Sequence, residues 1–172
     1  VYVLAANAFD EAPVNKIFET KKRPHFNPLI VHLKSGKDLS KVARNIPVQA
    51  KILAEAFWPG PLTLVLEKKP IIHDLVTGGK NTVAVRVPNH PLTLRLLKQL
   101  NFPLVAPSAN PFGKISPTCA QHVADYFESE IGMVLDGGVC EKGIESTIVG
   151  FEDEQAIVYR LGALSIESIE YI

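Results

Sequence analysis

Three polar segments of the sequence carry side chains that could hold an anionic ligand. KKRPHFNP, at residues 21–28, places two lysines beside Arg23, and the planar guanidinium of an arginine matches phosphate and carboxylate oxygens. NTVAVRVP, at residues 81–88, carries Arg86 on the face opposite its valines. APSANPFGKISPT, at residues 106–118, presents small hydroxyl and amide groups between prolines, which reduce the conformational freedom of a loop. Each segment adjoins or contains an apolar run, and open α/β sheets bind ligands where strands end.

Each of these segments also has a plain structural interpretation. The basic residues 21–23 could form a solvated loop after a helix, where cations interact favourably with the helix dipole. Arg86 could face solvent, and His32, in PLIVHL, could be a structural histidine. Residues 106–118 could form a turn followed by a helix that Thr118 caps, although this leaves PSAN unexplained. The residues alone leave both interpretations open.

Common catalytic and nucleotide-binding motifs are absent from the sequence. It has no G-x-x-x-x-G-K-[ST] loop, and GGKNT at residues 78–82 has the wrong spacing. It also lacks G-x-G-x-x-G after a strand, H-E-x-x-H and G-x-S-x-G. No pair of carboxylates suggests a metal site. A nucleotide bound by this chain would therefore need a different scaffold.

The composition is that of an ordinary globular domain, with 47% hydrophobic and 21% charged residues among 172. No apolar run could span a bilayer, so we expect no membrane association. Cys119 and Cys140 are expected to be free thiols in a reducing compartment, which favours a cytoplasmic protein. The net charge is zero, but residues 1–120 carry 16 Lys/Arg against 7 Asp/Glu and residues 121–172 carry 2 against 11. This asymmetry indicates either an anion-binding face or a neutralising contact between the two segments.

Apolar runs alternate with helical patterns along most of the chain. Strands are expected in VYVLA, PLIVHL, LTLVLE, TVAVRVP, FPLVAP, GMVLDGG, STIVGF and AIVYRLG. Helices are expected from Asp10 to about Thr20, from about Pro47 to Phe57, in HPLTLRLLKQL, and from a Thr118 cap to about Phe127. This order predicts a single α/β domain with a twisted, mixed, mostly open sheet flanked by helices. We assign residues 1–164 to this domain and residues 165–172 to the start of a C-terminal helix or linker.

Six segments occur in the order seen in the YrdC-like threonylcarbamoyl-AMP synthases, and the chain resembles that family over nearly its whole length. These segments are KKRPHFNPLIVHL, FWPGPLTLVL, TVAVRVPNHPL, PLVAPSANPFGKISPT, VLDGG and GIESTIV. The family's K-x-R and S-x-N pairs are present as Lys21/Arg23 and Ser108/Asn110, which makes the resemblance specific.

The resemblance implies a concave basic cleft and an enzyme that makes L-threonylcarbamoyl-AMP and pyrophosphate from ATP, L-threonine and bicarbonate. A partner transferase would then pass the threonylcarbamoyl group to adenosine 37 of tRNAs that read codons beginning with A. The resemblance also raises the question of a direct contact between this chain and tRNA. Mg²⁺ is expected with ATP, held by the phosphates and by few protein ligands.

Individual residues also receive roles from the resemblance. Lys21 and Arg23 would lie along bicarbonate and the triphosphate and stabilise charge in the transition state as catalytic residues. The expected ATP-binding residues are Arg23, Asn27, Thr82, Ser108, Asn110, Ser116 and Arg160. The expected threonine-binding residues are His32, Arg86, Ala106 and Ser146, with Arg86 pairing the carboxylate.

The start of the chain departs from the family pattern T-V-Y-G-L-G. Only VYVLA is present, so the threonine is missing and Val3 and Ala5 stand in place of two glycines. Glycine permits a close approach of backbone to ligand. We therefore expect that the front is truncated and that the chain could bind ATP yet turn over poorly.

Three other interpretations compete with the synthase interpretation, and one of them is an inactive paralogue with a folding role. A related domain in hydrogenase-maturation carbamoyltransferases handles carbamoyl-adenylate, but the acylphosphatase and zinc-finger-like modules that accompany it are not visible in this sequence. A non-catalytic RNA-binding module would use the same basic cleft, and its affinity for RNA would fall steeply with salt.

Overall fold

One mixed sheet of seven strands forms the centre of the computed structural model, which describes residues 1–153 and 155–172. The strands are β1 (Ala6–Asn7), β2 (Ile30–His32), β3 (Leu62–Glu67), β4 (Thr82–Arg86), β5 (Leu104–Val105), β6 (Thr147–Glu152) and β7 (Gln155–Arg160). Their order across the sheet is β1-β5-β2-β4-β3-β6-β7. The β2–β4 and β3–β6 pairs are parallel, and the other neighbours are antiparallel. The predicted α/β class with a mixed, open sheet is confirmed.

Helices separate most of the strands along the chain. They are α1 (Glu11–Lys21), α2 (Leu39–Val42), α3 (Val48–Phe57), α4 (Asp74–Thr77), α5 (Pro91–Gln99), α6 (Ala120–Phe127) and α7 (Ile166–Glu170), with a 3₁₀ turn at Gly36–Asp38 before α2. The helices predicted from the periodicity correspond to α1, α3, α5 and α6, whereas α2 and α4 were not predicted. None of the helices in the part of the chain that the structure describes is both long and apolar enough to cross a membrane.

Helix α1 positions the first basic segment. It begins after Asp10, whose carboxylate accepts the Ala12 N–H at 3.1 Å, and it buries Val14, Ile17 and Phe18 in the main core. Burial of each such side chain stabilises the fold by about 1.5–3 kcal/mol. The helix ends at Lys22, which takes a left-handed conformation with φ of 52°. This turn leaves the last helical residue buried at the base of the following loop.

Strand β4 shows the alternation that the sequence predicts. Val83, Val85 and the following Val87 are each no more than 1% exposed, because they point into the core beneath the sheet. Ala84 and Arg86 point to the other side, where they line a large cleft. The prediction that Arg86 faces away from the valines is therefore confirmed, and its face is a cleft.

The start of the chain departs from the predicted strand in VYVLA. Regular pairing begins only at Ala6, and before it Val3 makes an isolated bridge with Ser108. The backbone of residues 2–4 bonds to Pro107 and Pro117 through their carbonyls. Ala109 N–H returns a bond to Tyr2 O at 2.9 Å, but Pro107 has no N–H to return to Leu4, so the ladder is interrupted there.

Two further predictions about local structure are wrong. GMVLDGG, at residues 132–138, contains no strand. Its side chains are largely exposed, with Met133 82% exposed, and Gly138 takes a positive φ of 86°. Cys119 and not Thr118 occupies the N-cap position of α6, and its side chain makes no capping hydrogen bond. The C-terminal helix is present as α7, and the domain boundary at residue 164 stays a prediction.

Candidate functional site

A cleft of about 1510 Å³ lies on the face of the sheet opposite the valines of β4. Small-molecule sites usually occupy roughly 300–1,000 Å³, so this cleft has room for more than one substrate. Most of the predicted site residues line it: Arg23, His32, Thr82, Arg86, Ala106, Ser108, Ser146 and Arg160. The other four do not line the cleft: Lys21, Asn27, Asn110 and Ser116.

Lys21 lies beneath the cleft and connects the end of α1 to the 106–118 loop. The side chain is 1% exposed, and its ammonium group donates to the carbonyl oxygens of Ser108 and Asn110. Burial, and to a lesser degree the charge of Arg23, lower the pKa of Lys21 to about 8. Lys21 is therefore mostly a cation at neutral pH, held next to the guanidinium of Arg23.

Three arginines are fixed by carbonyl oxygens along the cleft. Arg23 Nη2 donates to Pro28 O at 3.0 Å, and Arg86 Nε donates to Gly60 O at 2.9 Å. Arg160 donates to the carbonyl oxygen of Ser146 from both Nε, at 3.2 Å, and Nη2, at 2.8 Å. These bonds hold each guanidinium in place and leave several of its five N–H donors for a ligand.

Among the described residues, the four cations form no direct ion pair, although burial lowers the pKa of Arg160 and the nearby carboxylate of Glu145 partly offsets that effect. Within residues 1–153 and 155–172, no carboxylate oxygen lies within 4.0 Å of a side-chain nitrogen of Lys21, Arg23, Arg86 or Arg160. Burial lowers the pKa of Arg23 and of Arg86, and the charge of Arg160 lowers each further. Cations held together without a direct ion pair form a site for a polyanionic ligand. We refer to these four residues as the cation cluster.

His32 lies beside the cation cluster as a neutral group. Its Nδ1 is 3.2 Å from Ile30 O, which can only accept, so Nδ1 carries the proton. Burial, and then the charge of Arg86, lower the pKa of His32 to about 3. The Nε2 lone pair is therefore available to accept a hydrogen bond from an ammonium or hydroxyl group in the cleft.

Ser146 immediately precedes β6 and contributes a hydroxyl at the cleft. Ser146 Oγ lies 2.7 Å from Thr63 Oγ1 on the neighbouring β3 and accepts from Arg160 Nη2 at 3.3 Å. Sequence reasoning missed Thr63. Its only signal was a polar residue inside the otherwise apolar strand LTLVLE.

The loop at residues 106–118 is preorganised, but not all of its polar groups face the cleft. Asn110 donates from Nδ2 to Pro111 O at 3.0 Å and to Lys114 O at 2.7 Å, which holds the loop closed. Ser116 donates its hydroxyl to the carboxylate of Glu145. Asn27 offers its backbone oxygen to Arg23 Nε at 3.4 Å. Glu145, which lines the cleft beside Arg160, was another residue that the sequence did not single out.

The acidic C-terminal segment does not neutralise the basic segment through direct ion pairs. The ion pairs found among the described residues are Lys41–Asp38, Arg44–Glu67, Lys68–Asp74 and His73–Glu11. All of them lie within residues 1–120. The acidic segment nevertheless reaches the same cleft, which Glu130, Glu141 and Glu145 line.

A resident metal has no evident protein site. Among the residues that the structure describes, no group of three or more His, Cys, Asp or Glu side chains is placed to hold a metal ion. Cys119 and Cys140 are both free and partly buried, as predicted.

A model of the Sua5/YciO/YrdC family, described as "Telomere recombination", matches residues 1–162. The chain belongs to this family. The resemblance seen in the sequence segments is thereby confirmed.

Curated relatives within the Sua5/YciO/YrdC family are closely similar to the chain. It is 47% identical to the threonylcarbamoyl-AMP synthase of Pyrococcus abyssi over all of its length, and this covers 51% of that protein. It is 44% identical to the threonylcarbamoyl-AMP synthase of Bacillus subtilis, again over all of its length and 50% of that protein. The chain thus spans about half the length of these relatives.

A solved structure shows the same fold. The crystal structure of P. abyssi Sua5 complexed with L-threonine superimposes with a TM-score of 0.97 at 47% identity. The match covers 99% of this chain and 50% of that one.

Proposed function

We propose that this chain is the synthase domain of an L-threonylcarbamoyl-AMP synthase. It would convert ATP, L-threonine and bicarbonate to L-threonylcarbamoyl-AMP and pyrophosphate. The observation that carries the proposal is the cation cluster, which forms no direct ion pair among the described residues and lies at or just beneath the cleft that also holds neutral His32 and the Ser146 hydroxyl. The cation cluster suits a polyphosphate, and the neutral imidazole and the hydroxyl suit an amino acid.

The reaction requires two bond-forming steps. The amine of threonine attacks the carbon of bicarbonate, loses a proton and releases water, which gives the N-carboxy group. An oxygen of this carbamate then attacks the α-phosphorus of ATP in line, and the bond between that phosphorus and the oxygen of pyrophosphate breaks. No covalent bond to the protein is needed, so positioning and charge stabilisation would supply the catalysis.

Each part of the cleft has a role in this scheme. Arg23 would face the carbamate and the phosphates, where negative charge moves from nucleophile to leaving group. Lys21, buried beneath the cleft, would stabilise the same charge from behind the 106–118 loop whose carbonyls it holds. Arg86 would pair the threonine carboxylate, and His32 Nε2 would accept a hydrogen bond from the amino acid. The remaining residues predicted for ATP are Asn27, Thr82, Ser108, Asn110, Ser116 and Arg160, and Ala106 would contribute backbone to the threonine site.

Mg²⁺ would enter this site as part of the substrate. The described side chains offer no carboxylate group for a resident ion, so the phosphates of ATP would supply its ligands, with water. Bound there, the ion would neutralise part of the phosphate charge. The chain's own cations would still be needed, because in this scheme they would lie near the positions where charge develops.

The names of the relatives support the proposed synthase reaction. Our proposal also includes the later transfer to tRNA and the location of the protein. Relatives 44% and 47% identical are threonylcarbamoyl-AMP synthases, which favours this reaction over the carbamoyl-adenylate alternative. A tRNA threonylcarbamoyl transferase would receive the adenylate and modify adenosine 37. We also propose a cytoplasmic location, which the two free cysteines support.

The test is pyrophosphate release by the purified chain with ATP, Mg²⁺ and bicarbonate, with and without L-threonine. We expect release that requires both threonine and bicarbonate and that serine supports poorly. Lys21→Ala should reduce it by at least about 100-fold, since the loss of a preorganised charge in a dry site costs about 3 kcal/mol. Arg95→Ala, which removes an exposed arginine outside the cleft, is the matched control.

Two results would count against the proposal. Release that is independent of threonine would indicate a simple ATPase. A folded chain that releases no pyrophosphate but binds RNA with a steep salt dependence and no response to threonine would favour the RNA-binding alternative.

A further inference from the structure

The hydroxyl groups of Thr63 and Ser146 form a buried pair at the base of the cleft. Their oxygens are 2.7 Å apart, and the residues are 0% and 3% exposed. The parallel register of β3 and β6 places Thr63 opposite Ile148, and Ser146 lies two residues before that position. The pairing of two strands therefore fixes Thr63 next to Ser146.

The direction of this hydrogen bond follows from the available partners. In the described residues, Ser146 Oγ is the only acceptor within hydrogen-bond reach of the Thr63 hydroxyl. If Ser146 donated to Thr63, the Thr63 proton would be buried without an acceptor, which is costly for a group removed from water. Thr63 is therefore the donor.

This assignment determines what Ser146 can do. Its oxygen accepts one hydrogen bond from Thr63 and a second from Arg160 Nη2 at 3.3 Å, which uses both lone pairs of a hydroxyl. Its own proton has no protein acceptor among residues 1–153 and 155–172, and Ser146 lines the cleft. The one direction left for this proton is toward a ligand.

We infer that Thr63 is a positioning residue that makes Ser146 a dedicated hydrogen-bond donor in the cleft. The ligand atom opposite Ser146 must then be an acceptor, such as a carboxylate or carbonyl oxygen. The backbone of Ser146 is held by the two bonds from Arg160 to its carbonyl oxygen. Arg160 therefore contacts both the main chain and the hydroxyl of Ser146, and Thr63 supplies the bond that leaves the hydroxyl proton for the ligand.

The steady-state test compares Thr63→Val, which keeps the shape but removes the hydroxyl, with Thr63→Ser, which keeps the hydroxyl. This test rests on the proposed function, in which threonine is the ligand beside Ser146. We expect Thr63→Val to raise the KM for threonine about five- to tenfold, in line with the loss of one oriented hydrogen bond. The KM for ATP and kcat should stay within about twofold, and Thr63→Ser should behave like the wild type.

Thr77→Val is the matched control. Thr77 is also a buried threonine, 1% exposed, but its hydroxyl bonds to Asp74 O in α4 and does not line the cleft. It should alter thermal stability without changing either KM. Equal effects of Thr63→Val on threonine and ATP, an unchanged KM for threonine, or failure of Thr63→Ser to restore it would overturn the inference.

A second measurement does not depend on catalysis. A buried, donated hydroxyl proton exchanges slowly with water, so the Thr63 proton should be visible by NMR, with contacts to the Thr63 methyl group. It should vanish in Thr63→Val, and the Ser146 proton, open to the cleft, should exchange rapidly. A protected proton on Ser146, or none at either site, overturns the inference. If the wild type neither binds nor uses threonine, the proposed function fails and this measurement alone decides the role of Thr63.

Discussion

Burial lowers the pKa of both Lys21 and His32, yet the two side chains have different charges at neutral pH. The pKa of Lys21 falls to about 8, so the side chain keeps its proton at pH 7. The pKa of His32 falls to about 3, so the ring is neutral. The difference arises because an ammonium group starts from a much higher intrinsic pKa than an imidazole. The site thus combines a cation buried beneath the cleft with a neutral acceptor that lines it.

The charge of Lys21 should set the upper pH limit for ATP binding. As pH rises through about 8, the free protein loses this cation, and the affinity for ATP should fall, by up to about tenfold per pH unit. Calorimetric titration of ATP between pH 7 and 9.5 measures the effect. Lys21→Gln, which cannot titrate, should bind weakly at every pH without this dependence. A wild type whose affinity is flat across the range would show that Lys21 does not contribute charge to the site.

Buried neutral His32 should make the protein sensitive to acid. Its pKa in the folded state, about 3, lies below the ordinary value of 6.5, so the unfolded chain binds the proton first as pH falls. Stability from this source is complete above about pH 6.5 and is lost toward pH 3. Between pH 6.5 and 5 the loss is about 2 kcal/mol, since each pH unit is worth about 1.4 kcal/mol.

Urea unfolding at pH 7 and pH 5 tests the contribution of His32. His32→Gln should lose about 2 kcal/mol less than the wild type over this interval, whatever its stability at pH 7. His122→Gln removes an exposed histidine from α6 and serves as the control. An identical loss in the wild type and in His32→Gln would mean that other groups cause the acid sensitivity.

The loops around the cleft are fastened to one another. Lys21, at the end of α1, donates to two carbonyls of the 106–118 loop. On the other side, the turn after α4 packs against the loop that carries Arg23. A Cβ atom at Gly78 would lie 2.5 Å from Phe26 O. The position of Arg23 therefore depends on a turn more than 50 residues away in sequence.

Two neighbouring glycines allow the energetic effect of this contact to be measured apart from the cost of a left-handed backbone conformation. Gly78 and Gly79 both have positive φ, 61° and 79°, but a Cβ atom at Gly79 would meet nothing within 4 Å. Gly79→Ala should cost about 1 kcal/mol, the penalty for alanine in the left-handed region. Gly78→Ala should cost about 3 kcal/mol or more, because the 21–28 loop must also move, and should weaken ATP binding. Urea unfolding and calorimetry compare the variants, and equal losses would show that the Phe26 contact is unimportant.

The sequence predicted the elements in which a periodic pattern and a boundary signal agree. Asp10 with an apolar face marked α1, and the alternation in β4 placed Arg86 on the correct face. The prediction of a strand in VYVLA was wrong because the backbone of this segment lies against prolines of the 106–118 loop. Regular strand pairing begins only at Ala6. Such a partner is a property of the tertiary structure and cannot be read from a local pattern.

Sequence reasoning about the site had a similar limit. Charged and loop residues such as Arg23, Arg86 and Ser108 were found, because their polar side chains stand out against apolar runs. Thr63 was not found, because a threonine inside a strand is common and only the β3–β6 pairing brings it to Ser146. Glu145 was missed because its significance comes from nearby Ser116 and Arg160.

At the scale of the whole molecule, the separation of charge is the dominant feature. Although the net charge is zero, no described ion pair joins the basic residues 1–120 to the acidic residues 121–172. Burial is the main reason why the pKa values of Arg23 and Arg86 are lowered, and repulsion by the charge of Arg160 lowers each further in the unliganded protein. A bound polyanion would remove this repulsion and connect α1, β4 and β7.

Polyphosphate should therefore stabilise the fold without any amino acid present. At a concentration 100 times its Kd, a ligand adds about 2.7 kcal/mol to stability, which for a domain of this size is about 5–10 °C in Tm. We expect such a rise with tripolyphosphate, measured by thermal unfolding, and a smaller rise as NaCl increases, because salt screens the exposed part of the interaction. Arg23→Gln should lose most of the shift, while Arg95→Gln, the same change at an exposed site on α5, should retain it. A shift that survives Arg23→Gln, or that sulfate reproduces at the same concentration, would mean that general ionic effects and not the cation cluster stabilise the protein.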